Sequence, residues 1–178
     1  MKIWRFWQPN PRRPAIPPKV LVIDPEKCTG CRQCELVCSV SHTGESDPAR
    51  SRIRVAKRED LGFYLPMTCQ NCERAICTEV CPATACAKDA QLQVAVIDPK
   101  KCIGCKSCVL ACPFGAPSFD EVQRVSIKCD YCGGQPRCVM ACTAGAISFV
   151  DADKVNWARR KQLADKLIAE TINSRTDR

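Results

Sequence analysis

Apolar positions along the chain fall into short runs rather than long periodic stretches. Val20-Leu21-Val22-Ile23 ends in Asp24-Pro25, and the same signal returns at Val94-Ala95-Val96-Ile97 before Asp98-Pro99. A four-residue apolar run closed by a turn dipeptide predicts a short strand. The recurrence, from residue 20 to residue 94, predicts an internal repeat of strand, turn, loop and helix. Ser51-Arg52-Ile53-Arg54-Val55 alternates instead, so a strand is expected there with Ile53 and Val55 inward and both arginines in solvent. After Val150 the period lengthens. Asp151 or Asp153 can cap a helix to about Ile172, with Trp157, Ala164, Leu167, Ile168 and Ile172 as its apolar stripe. Residues 1–19 fit neither period. Trp4, Phe6 and Trp7 precede Pro9, Pro11, Pro14, Pro17 and Pro18, which favours an extended arm lying on this domain or on a partner.

Cysteine is laid over this pattern in four runs. Two are regular: Cys28, Cys31, Cys34, Cys38, and Cys102, Cys105, Cys108, Cys112 with Pro113 next. Two are widened before the third cysteine: Cys69, Cys72, Cys77, Cys81 with Pro82 next, and Cys129, Cys132, Cys138, Cys142 with Thr143 next. Three thiolates at this spacing can turn onto three corners of one iron–sulfur cubane, while the fourth cysteine faces a neighbouring cluster. Gly30 and Gly104 hold equivalent places in the regular loops, where close approach of backbone to cluster is expected. Zinc is the competing reading of Cys-x-x-Cys. It would call for two separated pairs per site rather than three consecutive thiols.

Composition narrows the class further. Seventeen cysteines in 178 residues is high, but the number is odd, the spacing is tight and no signal peptide precedes them, so a reduced cytoplasmic setting is expected rather than a disulfide scaffold. No stretch reaches the ~18 apolar residues of a membrane span. The formal charge of +8 would point to nucleic acid if it stood alone. Four oxidised clusters at roughly −2 each would bring the total close to neutral, so the basic residues are read as compensation. There is one histidine, His42, expected to make an ordinary loop hydrogen bond, and no G-x-G-x-x-G fingerprint, so a substrate site is not expected in this chain.

On these runs, and on Cys34-Glu35-Leu36-Val37-Cys38-Ser39 through His42, Glu45, Pro48 and Ser51-Arg52-Ile53, residues 20–150 resemble the four-cluster ferredoxin-like electron-transfer subunits. Members of that family serve tungsten and molybdenum oxidoreductases, formate dehydrogenases, hydrogenases and carbon monoxide dehydrogenase. Within the family the chain looks most like the small subunit beside tungsten aldehyde oxidoreductase. The resemblance implies an α+β fold of two fused ferredoxin-like dicluster modules, an arm at 1–19 and a C-terminal helix and tail at 151–178. It also implies four [4Fe-4S] clusters with crossed ligation. Cluster A would take Cys28, Cys31, Cys34 and Cys142, and cluster B would take Cys38, Cys129, Cys132 and Cys138. Cluster C would take Cys69, Cys72, Cys77 and Cys112, and cluster D would take Cys81, Cys102, Cys105 and Cys108. Ser39 and Thr143 stand where the ferredoxin pattern has proline. The implied partners are a catalytic tungsten or molybdenum subunit and a flavin- or NAD-linked one, with self-assembly through arm and terminal helix conceivable. A free polyferredoxin carrier is the alternative. Cys86, the seventeenth cysteine, aligns with Ile147 and is expected to be a small buried side chain. With so little conventional core the clusters themselves would act as cross-links, and the apo-chain is expected to be largely unfolded.

Overall fold

The structure is a computed structural model that describes residues 19–152, 154, 155, 164, 165 and 168. The aromatic arm lies outside the described residues, and so does most of the expected terminal helix. Of that helix's stripe, Ala164 and Ile168 are described and exposed. Asp151 ends a strand, and helix begins at Ala152, directly after it.

The repeat is built twice in one order: strand, helix, hairpin, helix, strand. The first half runs β1 (Lys19–Ile23), α1 (Gln33–Thr43), the hairpin β2 (Arg54–Arg58) and β3 (Phe63–Met67), α2 (Ile76–Glu79) and β4 (Cys86–Lys88). The second runs β5 (Ala95–Ile97), α3 (Ser107–Ala111), the hairpin β6 (Ser118–Asp120) and β7 (Val125–Ile127), α4 (Arg137–Ala141) and β8 (Ile147–Asp151). Short helices between short antiparallel pairs make this an α+β fold.

The halves are interlocked rather than side by side. β1 pairs with β8 in the register Ile23↔Ile147, and β4 pairs with β5 in the register Cys86↔Ile97. α1 packs on α4, and α2 on α3. An outer module therefore combines the start of the first half with the end of the second, and an inner module combines what lies between. Both expected Asp-Pro turns form, and each is pinned alike. Asp24 N donates to Ala146 O at 2.8 Å, and Asp98 N donates to Ala85 O at 2.8 Å.

The alternating segment differs from expectation. The strand begins only at Arg54, because Ser51 and Arg52 are engaged elsewhere. Ser51 Oγ donates to Ile53 O at 2.7 Å, and Arg52 N donates to Cys38 Sγ at 3.3 Å. The facing survives in part: Ile53 is buried and Arg54 exposed, but Val55 is only half-buried, and Arg52, expected in solvent, is half-buried and paired with Asp130 at 2.6 Å.

Apolar packing is divided among three small cores. One holds Cys34, Cys38, Ile53, Cys138 and Ile147; a second holds Ala75, Cys77, Cys86, Ala95 and Cys108; a third holds Val94, Cys129 and Tyr131. Cysteine supplies much of each, as expected of a small, readily buried side chain.

Candidate metal centres

The loop that opens each cysteine run contains a left-handed residue at the same step, two after the first cysteine: Gly30 (φ 72°), Asn71 (φ 45°), Gly104 (φ 71°) and Tyr131 (φ 57°). In the regular runs a second follows, Arg32 at φ 60° and Lys106 at φ 60°, immediately before α1 and α3. Successive left-handed residues curl the chain tightly, so thiols three apart in sequence point into one space. The helix that follows carries the last cysteine of the run to the other side.

The outcome is four cavities, each lined by four of the sixteen cysteines of the runs. Site A is lined by Cys28, Cys31, Cys34 and Cys142, with Val55, Pro66 and Ile147. Site B is lined by Cys38, Cys129, Cys132 and Cys138, with His42, Arg52 and Thr68. Site C is lined by Cys69, Cys72, Cys77 and Cys112, with Asn71, Phe114 and Lys128. Site D is lined by Cys81, Cys102, Cys105 and Cys108, with Ala85, Cys86 and Ser126. Three cysteines of one run thus meet the last cysteine of another at every site.

The spacing of the thiols at these sites fits a cluster and not a single ion. A tetrahedral zinc holds sulfur at about 2.3 Å and would draw its thiols together. Among the described residues, the one group of three or more His, Cys, Asp or Glu ligand atoms mutually within 4.8 Å is His42, Asp130 and Cys132, so no cysteine quartet is closed that tightly. Site B adds an unsatisfied polar atom. Arg52 Nε is buried in its lining without a hydrogen-bond partner among the described residues, and Thr68 lies against the Cys129 sulfur and favours its anion. A donor left open there suits a sulfide-rich anion.

Electrostatics agree with that donor set. Burial pushes the Cys34 thiol up to about 12, with Glu35 and the neighbouring Cys31 and Cys28 adding to it. Burial pushes Cys129 up to about 11 against the pull of Lys128, and raises Cys138 further still. Thiolates packed this closely are unfavourable on their own and become favourable beside ferric and ferrous charge. Backbone amides already aim at sulfur: besides Arg52 N, Asn71 N donates to Cys69 Sγ at 3.4 Å and Ser126 N to Cys102 Sγ at 3.5 Å.

Three groups acquire roles that the sequence did not disclose. His42 lies in the last turn of α1, not in a loop, and its Nε2 is 3.5 Å from Cys132 Sγ. Burial and then Arg52 hold its imidazole below the usual value, against Asp130, so it is neutral near pH 7. Cys86 is buried as expected. It also touches the chemistry, because its thiol bonds Cys77 and pulls the Cys77 sulfur down to about 6. Lys128 is buried at 3% exposure in the wall of site C. Gly30 and Gly104 are required, but by a different neighbour from the one expected. A Cβ on Gly30 would stand 2.5 Å from the Tyr64 ring, and one on Gly104 would stand 2.8 Å from Arg124 O, both on the hairpins covering the loops.

The sequence pattern of the 4Fe-4S dicluster domain matches residues 61–152, and that of a 4Fe-4S binding domain matches residues 20–42. The chain is 41% identical over 113 residues to the polyferredoxin-like subunit of aliphatic sulfonate oxidoreductase from Pyrococcus furiosus, covering 64% of this chain and 65% of that one. An iron-sulfur protein of Rhodospirillum rubrum is 37% identical over 132 residues, covering 64% and 67%. The B subunit of anaerobic dimethyl sulfoxide reductase from Escherichia coli is 38% identical over 124 residues, covering 62% and 59%. The matched part of this chain therefore spans about three fifths to two thirds of each relative's length. The chain belongs to the 4Fe-4S dicluster family of iron–sulfur electron-transfer proteins, and [4Fe-4S] clusters are its cofactors.

Proposed function

We propose that the chain is a four-cluster electron wire, with residues 20–150 as the conducting unit and the clusters bound in the order A, B, C, D. One observation carries this reading: each apolar core is shared by two successive sites. Cys34 and Cys142 of site A meet Cys38 and Cys138 of site B in the first core. Cys129 of B meets Cys69 of C in another, and Cys77 of C meets Cys81 and Cys108 of D in the last. The two exposed ligand cysteines, Cys31 and Cys105, belong to A and D, the ends of that order. Exposure at the ends and apolar cover in the middle is what end-to-end passage of electrons requires.

Each bound cluster supplies a one-electron couple; the chain's own residues set spacing, solvent exclusion and charge around it. The chain is read as non-catalytic because its buried carboxylates and its histidine are already committed. Glu35 accepts from Arg32 Nε at 2.6 Å and from Val55 N at 2.7 Å, Asp120 accepts from Arg50 Nε at 2.9 Å, and His42 faces Cys132. The relatives named as oxidoreductase subunits support service to a catalytic partner, and the Pyrococcus protein, named as a subunit of aliphatic sulfonate oxidoreductase, supports one acting on a small organic substrate; tungsten or molybdenum in that partner rests on the resemblance of the cysteine runs alone. No helix among the described residues is long and apolar enough to cross a membrane.

Anaerobically purified holoprotein is expected to contain about sixteen irons per chain and to take up four electrons. It should turn over no aldehyde or sulfonate until the catalytic subunit is added. Fewer than four one-electron centres would sink the wire. Native mass spectrometry of the complex from its source would identify the partner, and a chain found alone would favour the diffusing carrier.

A further inference from the structure

Lys128 is the one lysine among the described residues that is buried, and it stands at the junction of the two modules. Its backbone leads directly into Cys129 of site B, while its side chain forms part of the wall of site C. The Nζ donates to Ala95 O, to Cys129 O at 2.8 Å and to Asn71 Oδ1 at 3.4 Å. Three acceptors for three N–H bonds describe an ammonium. All three acceptors are neutral, and no carboxylate among the described residues pairs with it. A buried cation without a counter-ion is costly. Its compensation has to come from what lies on either side, and what lies on either side is thiolate. Lys128 shares the wall of site C with Cys69, Cys72, Cys77 and Cys112, and its Nζ donates to the carbonyl of Cys129, which lines site B. The other strongly buried cation, Arg50, differs in kind, being neutralised by Asp120 at 2.9 Å and Glu45 at 3.0 Å.

We propose that Lys128 is a positioning residue for electrons: its single charge, shared by sites B and C, raises the reduction potentials of the two central clusters above those of A and D. This rests on the four-site reading. A positive charge in a low-dielectric wall favours the more negative redox state of a neighbouring group. An electron delivered to either end therefore settles at the junction before it leaves. The wire stores charge in its middle and exposes its less readily reduced clusters to partners.

The test is an anaerobic titration of the holoprotein with titanium(III) citrate, followed by electron paramagnetic resonance, in wild type, Lys128→Met and Lys128→Arg. In wild type the first two electrons are expected at the central pair. Lys128→Met should reduce the ratio of reduced central to reduced terminal clusters at least tenfold, which for a one-electron couple is 59 mV. Lys128→Arg, which keeps the charge, should stay close to wild type. Two unshifted central midpoints in a Lys128→Met protein of wild-type iron content would overturn the proposal and leave Lys128 as a cap on two carbonyls. A second measurement does not depend on any variant folding. In wild type grown on ζ-¹⁵N-lysine, the first cluster to be reduced should show electron–nuclear coupling to a lysine nitrogen, and a first-reduced cluster without that coupling overturns the proposal equally. Iron content and the number of redox steps in the same samples report on the four-site reading separately, so the two failures are distinguishable.

Discussion

At the scale of single residues, the cluster loops are governed by what can stand in left-handed backbone under a hairpin. Gly104 satisfies two demands at once, a φ of 71° and an Arg124 carbonyl 2.8 Å from where a Cβ would be. The first costs a side-chain-bearing residue about 1 kcal/mol, and the second forces the β6–β7 turn to shift. Gly104→Ala is expected to speed loss of iron from site D roughly tenfold, the factor that ~1.4 kcal/mol represents. Anaerobic bleaching of the visible absorbance with a chelator would measure it. Gly115→Ala is the control, because nothing lies within 4 Å of a Cβ there, although its φ of 58° carries the same backbone strain. An equal effect in both would show that backbone strain alone acts and that the Arg124 contact does not. That Gly30 and Gly104 are special was legible in the sequence from their equivalent places in two runs. What crowds them was not, since Tyr64 and Arg124 lie far along the chain and no local pattern names them. Lys128 and Cys86 were hidden for the same reason. A lysine beside a cysteine and a lone cysteine in a strand acquire meaning only when folding brings Ala95, Asn71 and Cys77 to them.

Among the elements, one link between the two halves is polar. Arg50, in the short turn after α1, donates to Asp120 Oδ2 at 2.9 Å, while Asp120 Oδ1 accepts from Val122 N at 2.9 Å and Gln123 N at 3.0 Å at the end of β6. Burial alone would push this carboxyl up; the two amides and Arg50 outweigh it and hold it below the ordinary carboxylate range. With the folded value below the unfolded one, the stabilisation is complete above the unfolded pKa of about 3.9 and is lost as pH falls through the lower folded value. Asp120→Asn is expected to lower stability by about 1–3 kcal/mol at neutral pH. Because holoprotein unfolding is governed by rates, the measurement is the half-life of visible absorbance at elevated temperature. The gap between wild type and variant should stay constant from pH 7 to 5 and close below about pH 4; a gap that widens in acid would contradict this. These hairpins were also the least legible elements. β6 and β7 are three residues each, too short for a period of two to declare itself, and β3 carries Pro66, which argues against a strand from sequence alone. The strands ending in Asp-Pro were readable because four apolar residues and a turn dipeptide occur together, twice.

For the molecule as a whole, the question is what holds a chain with three small cores together. Its largest fully buried side chains include Glu35, Asp120, Ser39 and Ser51, each tied by hydrogen bonds rather than supplying apolar area. The cysteine quartets, by contrast, join segments remote in sequence: site A unites residues 28–34 with 142, and site C unites residues 69–77 with 112. Four runs could exchange their last cysteines in three pairings, and spacing alone does not choose among them. The β1–β8 and β4–β5 pairings bring the first run beside the fourth and the second beside the third. In the absence of iron those strands are only five and three residues long, and the buried thiols resist ionisation. Such pairs are marginal without a cross-link. Removing iron anaerobically with a chelator in mild denaturant is therefore expected to abolish the far-ultraviolet circular dichroism together with the visible bands, in one transition rather than two. Reconstitution with ferrous iron, sulfide and a thiol reductant should restore both. An apo-chain that kept its circular dichroism and its resistance to protease would mean that the polypeptide, and not the cofactor, defines the fold.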